Sequence, residues 1–191
     1  MSSDHAGPAA KPSICVYCGA KTGADPKYAQ AARDVGRGLA EGGFRLIYGA
    51  GDLGLMGETA RACQAAGGEA MGFIPRGLWE REIARRELPH IVITENLHQR
   101  KSLMLQNADG AIVLPGGVGT LDELVEALTW RQIGLHDKPL ILLDLDGFWR
   151  PLNALFEHMA REGFLHGDLA AHYALAATPA EAVAALRAGL D

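Results

Sequence analysis

The chain has 191 residues, 48% of them hydrophobic and 21% charged, with a net charge of −5. That is enough chain to bury one ordinary globular core, and the acidic balance excludes a nucleic-acid polymer as the main partner, because such binding rests on basic surface. No apolar run approaches the ~18 residues of a membrane span, and three cysteines make no disulfide framework.

Met1–Pro12 is rich in Ser, Ala, Gly and Pro and lacks the apolar core of a signal peptide. It is expected to be a disordered leader ahead of one domain over residues 13–191, and the expected compartment is the cytoplasm. Ile14–Cys18 then reads as a strand. Cys15 and Cys18 form a C-x-x-C inside that strand, so they point to opposite faces and cannot easily share a metal or a disulfide. A helical pattern follows over Pro26–Glu41, then a strand over Phe44–Tyr48, a helix over Leu55–Ala66 and a strand over Glu69–Ile74. Further along come the strand Ile91–Thr94, the helix Leu97–Asn107, the strand Ala111–Leu114, the helix Thr120–Gly134 and the strand Leu140–Leu143. Two helices, Phe148–Glu162 and Pro179–Ala188, end the chain. Near-continuous apolar strands alternating with helices predict a single α/β domain of doubly wound, Rossmann-like type, its parallel sheet covered on both faces.

In such sheets ligands bind beyond the carboxyl ends of the strands, and glycine crowds three of those ends here. Gly49-x-Gly51-x-x-Gly54 matches a dinucleotide-binding spacing. It lacks the acidic residue expected about 20 positions on, at the end of the next strand, which here reads Phe73-Ile-Pro-Arg76. A tight turn with close packing explains these glycines better than a nicotinamide cofactor does. Pro115-Gly-Gly-Val-Gly-Thr120 is more informative, since it links a strand to a helix start. Glycines let backbone approach a ligand closely, and the free amides and dipole of a helix start suit one phosphate. Without Gly-Lys-Ser/Thr this is not an ATP-hydrolysing loop.

Glu123 has two readings. Thr120-x-x-Glu123 is a capping-box pattern, while a carboxylate near a helix start is held in its ionised form. As an anion it would serve a ribose or an oxocarbenium-like centre and make a poor general acid. Arg100 shares a helix face with Leu97 and Met104, so it either snorkels to solvent or points into a cleft at the strand ends. Lys101 taken alone is an ordinary surface lysine.

Taken together these segments resemble the phosphoribohydrolases of the "Lonely guy" (LOG) type, many of them long labelled lysine decarboxylases. The resemblance runs from about Ser13 to Phe164. It rests on Arg100-Lys101 followed by Pro115 through Glu123, supported by Leu46-Ile-Tyr-Gly, Gly54-Leu-Met-Gly57, Thr129-Trp130 and Ile133-Gly-Leu-His-Asp-Lys-Pro139.

The resemblance implies hydrolysis of the N-glycosidic bond of a nucleoside 5′-monophosphate, AMP or an N6-substituted AMP, to free base and ribose 5-phosphate. It implies Arg100 and Glu123 as the catalytic pair, Gly116, Gly117, Val118, Gly119 and Thr120 around the 5′-phosphate with Lys101 nearby, and Glu82 and Thr129 as further substrate contacts. It also implies a homodimer with no metal and no organic cofactor. The chain departs from the family pattern at Cys18-Gly-Ala-Lys21, Asn96-Leu-His98, Gly49-Ala-Gly51 and Asp122, which leaves the preferred base open. A carrier of nucleotide or molybdenum cofactor on the same fold is the alternative; it would hold phosphate without needing both Arg100 and Glu123. Lysine decarboxylation would need a Schiff-base lysine and a partner for the cofactor's ring nitrogen, and nothing in the sequence singles out such a set.

Overall fold

In the computed structural model, residues 11–80, 88–165 and 167–190 are described. Among them, seven strands form one parallel sheet: β1 (Ser13–Tyr17), β2 (Arg45–Tyr48), β3 (Ala70–Pro75), β4 (His90–Thr94), β5 (Gly110–Val113), β6 (Leu140–Leu143) and β7 (Ala174–Ala176). Their spatial order is β4-β3-β2-β1-β5-β6-β7, and every pairing is parallel. β1, β5 and β6 are buried along their whole length, as strands covered on both faces must be.

The helices divide between the two faces. On one side α1 (Pro26–Glu41), α2 (Gly54–Ala65) and α7 (Pro179–Ala188) cover Ile14, Val16, Leu46, Tyr48 and Ile112. On the other α4 (Leu97–Gln106), α5 (Val118–Gln132) and α6 (Arg150–Arg161) cover Cys15, Tyr17, Ile47, Ala111 and Val113. A short helix, α3 (Arg76–Trp79), follows β3. Cys15 and Cys18 fall in opposite cores, and burial raises both thiols well above their ordinary value. The cysteines are all buried and free.

Local signals set several helix starts. Asp25 caps α1 by accepting from the Lys27 amide at 2.9 Å, with Pro26 at the first position, where proline's missing N–H costs nothing. Asn96 caps α4 in the same way through the Gln99 amide. Thr178 caps α7 through the Glu181 amide, while Glu181 accepts from the Ala177 amide at 2.9 Å.

The structure departs from expectation at three places. β7 was not expected, since three residues with two side chains exposed leave almost no apolar pattern. α3 is a single turn and equally illegible. α5 begins at Val118 rather than Thr120, so Thr120 sits inside the first turn and Gly117 is the capping position. Of the expected leader, Met1–Ala10 lies outside the described residues; Lys11 pairs with Glu69, and the Pro12 carbonyl accepts from the Arg45 amide.

Candidate active site

The sheet winds outward from β1 to β4, then returns to place β5 on β1's other side. The crevice between the carboxyl ends of β1 and β5 is therefore the switch point, where such folds bind ligands. A cavity of about 540 Å³ opens there, within the usual range for a small-molecule site.

Its polar end is built by two loops in contact. The Gly19 amide, just beyond β1, donates to the Pro115 carbonyl at 3.2 Å. Gly116 allows this: a Cβ there would strike the Thr120 side chain and lie 3.0 Å from the Gly19 amide nitrogen. Gly117 and Gly119 face open space. The Leu121 amide bonds to the Gly117 carbonyl at 3.0 Å, while the amides ahead of it fall in the stretch where a helix offers no internal partner. Gly116 to Thr120 line the cavity together, with Val118 at its exposed rim. Tyr28, Phe148, Leu55 and Val16 supply an apolar wall, and the rings of Tyr28 and Phe148 meet edge to face at 6.0 Å.

Arg100 and Glu123 meet between these ends. The guanidinium lies 3.6 Å from the Glu123 carboxylate, and its Nε donates to the Phe73 carbonyl at 3.1 Å. Arg100 thus points into the cleft rather than snorkelling. Room for it comes from Gly49, where a Cβ would occupy the guanidinium's position. Gly51 similarly admits Met56. The glycines after β2 are filled by the protein's own side chains, which favours the packing reading over a dinucleotide cradle. Between them Ala50 adopts φ of 57°, a left-handed conformation that alanine rarely takes and that clusters near functional sites.

Glu123 corrects two expectations. It does not close a capping box, because Thr120 is not the capping residue. Nor is its carboxyl held in the ionised form: burial pushes it up to about 7, although the Arg100 guanidinium opposes that shift. Glu123 lies six residues into α5 and is 8% exposed. The helix dipole fades within the first turn, so desolvation wins. A carboxyl near 7 can both hold and release a proton at neutral pH, which overturns its reading as a poor general acid.

Lys101 is not brought to the cavity. It is buried between α4 and α5, with its ammonium 2.9 Å from Asp122 and 3.0 Å from Glu126. Burial works against its charge, but the hydrogen bonds to those two carboxylates outweigh it and raise its pKa. Thr129 is exposed and donates to the Val125 carbonyl at 2.7 Å; it too lies outside the cavity lining. Glu82 lies outside the described residues.

Lys21 and Thr22 line the cavity from the loop after β1, one of the strand ends expected to face a ligand, while Tyr28, Met56 and Phe148 line it without having been expected there. Inspection of every strand end would have found Phe148, since it follows β6. Among the described residues, no group of three or more His, Cys, Asp or Glu side chains could hold a metal ion, and no helix is long and apolar enough to cross a membrane.

The family model described as "Possible lysine decarboxylase" matches residues 56–186. The chain is 44% identical over 154 residues to the cytokinin riboside 5′-monophosphate phosphoribohydrolase of Rhodococcoides fascians, covering 80% of this chain and 78% of that one. It is 42% identical over 155 residues to the probable cytokinin riboside 5′-monophosphate phosphoribohydrolase LOGL1 of Oryza sativa subsp. japonica, covering 81% and 70%. Among solved structures, the molybdenum cofactor carrier protein of Chlamydomonas reinhardtii is similar with a TM-score of 0.72 at 23% identity, covering 95% of this chain and 99% of that one. At that identity the likeness speaks to the fold alone. With sequence identity spread over most of its length and the Arg100–Glu123 pair beside a glycine loop, the chain belongs to the LOG family of cytokinin riboside 5′-monophosphate phosphoribohydrolases, the family whose model carries the lysine decarboxylase description.

Proposed function

We propose that the protein hydrolyses the N-glycosidic bond of a purine nucleoside 5′-monophosphate, AMP or an N6-substituted AMP, releasing free base and ribose 5-phosphate. The observation that carries this reading is the pairing of half-buried Arg100 with buried Glu123, 3.6 Å apart, in the same cavity as the glycine loop at the start of α5. A phosphate carrier needs the loop but has no use for a carboxyl held near 7 against a guanidinium.

In this mechanism Gly116, Gly117, Val118, Gly119 and Thr120 bind the 5′-phosphate through backbone amides and so fix the ribose. The flat base has the apolar wall of Tyr28 and Phe148 to lie against. Ionised Glu123 stabilises positive charge growing at C1′, as carboxylates do in glycoside hydrolysis, and accepts a proton from the attacking water. The C1′–N bond breaks as the C1′–O bond forms. The departing base takes up one proton, balancing the one that water gives to Glu123. Arg100 orients Glu123 and offsets negative charge on the leaving base. Lys101 acts from outside the cavity, holding α4 against α5 through Asp122 and Glu126.

The same reading makes the protein a cytoplasmic homodimer. Leu121 and Val125, one turn apart on α5 and both exposed, supply apolar surface for a second copy, and Thr129 continues that helix. Base release from AMP by the purified protein, lost in Glu123→Ala, tests the activity; sedimentation tests the dimer.

A further inference from the structure

We propose that Lys21 is the cation that anchors the substrate's phosphate, a role that Lys101 cannot take. This inference rests on the reading of the substrate as a 5′-monophosphate. Among the described residues, three charged side chains line the cavity: Lys21, Arg100 and Glu123. Arg100 is committed to Glu123 and to the Phe73 carbonyl, and Lys101 lies outside the lining, held by two carboxylates. Lys21 forms no ion pair or side-chain hydrogen bond among the described residues.

Charge balance among the described residues supports it. A phosphate monoester brings about −1.5 to −2 at neutral pH, whereas the helix start supplies roughly +0.5. Once Glu123 is ionised, Arg100 and Glu123 cancel. Without Lys21 the described residues of the cavity would set little more than the dipole of α5 against a dianion.

Placement supports the role. Lys21 follows Gly19, whose amide bonds to the Pro115 carbonyl at 3.2 Å. A Cβ on Gly19 would lie 3.0 Å from the Lys21 carbonyl oxygen and 3.5 Å from Gly116 Cα. The Lys21 backbone is thus tied to the cradle, while its side chain is exposed and free to close over an anion.

The test measures inorganic phosphate binding by calorimetry for the wild type, Lys21→Gln and Lys21→Arg, beside the KM for AMP. Losing a charge-assisted hydrogen bond should weaken phosphate binding by about tenfold or more in Lys21→Gln. KM for AMP should rise in parallel and more than kcat falls, and Lys21→Arg should restore most of both. Equal phosphate affinity in the wild type and Lys21→Gln overturns the assignment, even if base is released normally. Weakened phosphate binding with no base release by the wild type leaves Lys21 in place and defeats the hydrolase reading instead.

Discussion

The guanidinium of Arg100 occupies the space that a Cβ on Gly49 would need, so a loop glycine beyond β2 and an arginine on α4 form one unit. Gly49 does not have a positive φ, and the atom in the way is the far end of a flexible side chain. Gly49→Ala should therefore fold and push Arg100 aside. Because a ~1 Å misplacement of a catalytic group costs about 10²-fold, kcat/KM for AMP should drop by about that much. Steady-state kinetics beside a melting curve checks this; full activity in a well-folded variant would remove Arg100 from the mechanism.

Arg100→Ala and Glu123→Ala should each lower turnover by at least about 10²–10³-fold, the usual loss for a well-placed electrostatic contact in a dry site. Because the two groups face each other at 3.6 Å, their effects should not add in the double variant. Additive losses would mean that the two act separately.

The Glu123 carboxyl titrates near 7 because burial disfavours its charge. Below that value it is protonated, so kcat/KM for AMP should rise with pH through about 7 and level off above it. A limb centred near 6 would instead report the substrate phosphate's own second ionisation. The sign for stability is opposite. A carboxyl raised in the folded state binds its proton more tightly there, so its contribution is present at low pH. That contribution is lost as pH climbs from the ordinary carboxylate range through about 7. Glu123→Gln should abolish this dependence in pH-resolved melting curves.

Lys101→Ala should lower stability by about 1–2 kcal/mol, discounted because Asp122 is largely exposed, while phosphate affinity is retained. Chemical denaturation and phosphate calorimetry on one preparation decide this. A stable variant with weakened phosphate binding would put Lys101 back in the site.

Much of this was legible in the sequence. The apolar runs of β1, β5 and β6 announce a sheet buried on both faces, and the glycine-rich link to α5 marks the place where a ligand binds. Residue spacing placed Arg100 and Glu123 on separate helices near the strand ends, but only the fold brings them to 3.6 Å. What stayed hidden depends on tertiary context. Lys101 and Lys21 look alike in sequence; one is buried between two carboxylates and the other is left unpaired at the cavity. The pKa of Glu123 follows from desolvation, which local capping rules do not see. β7 and α3 are too short to carry a periodic pattern.

The most direct measurement is to incubate the purified protein and its Glu123→Ala variant with AMP and with N6-isopentenyl-AMP, quantifying released base by chromatography. Base and ribose 5-phosphate should be released in equal amounts from at least one substrate and not by the variant, with the ratio of the two rates giving the base preference. Binding of both nucleotides with no release from either would contradict it and leave a carrier of phosphorylated ligands.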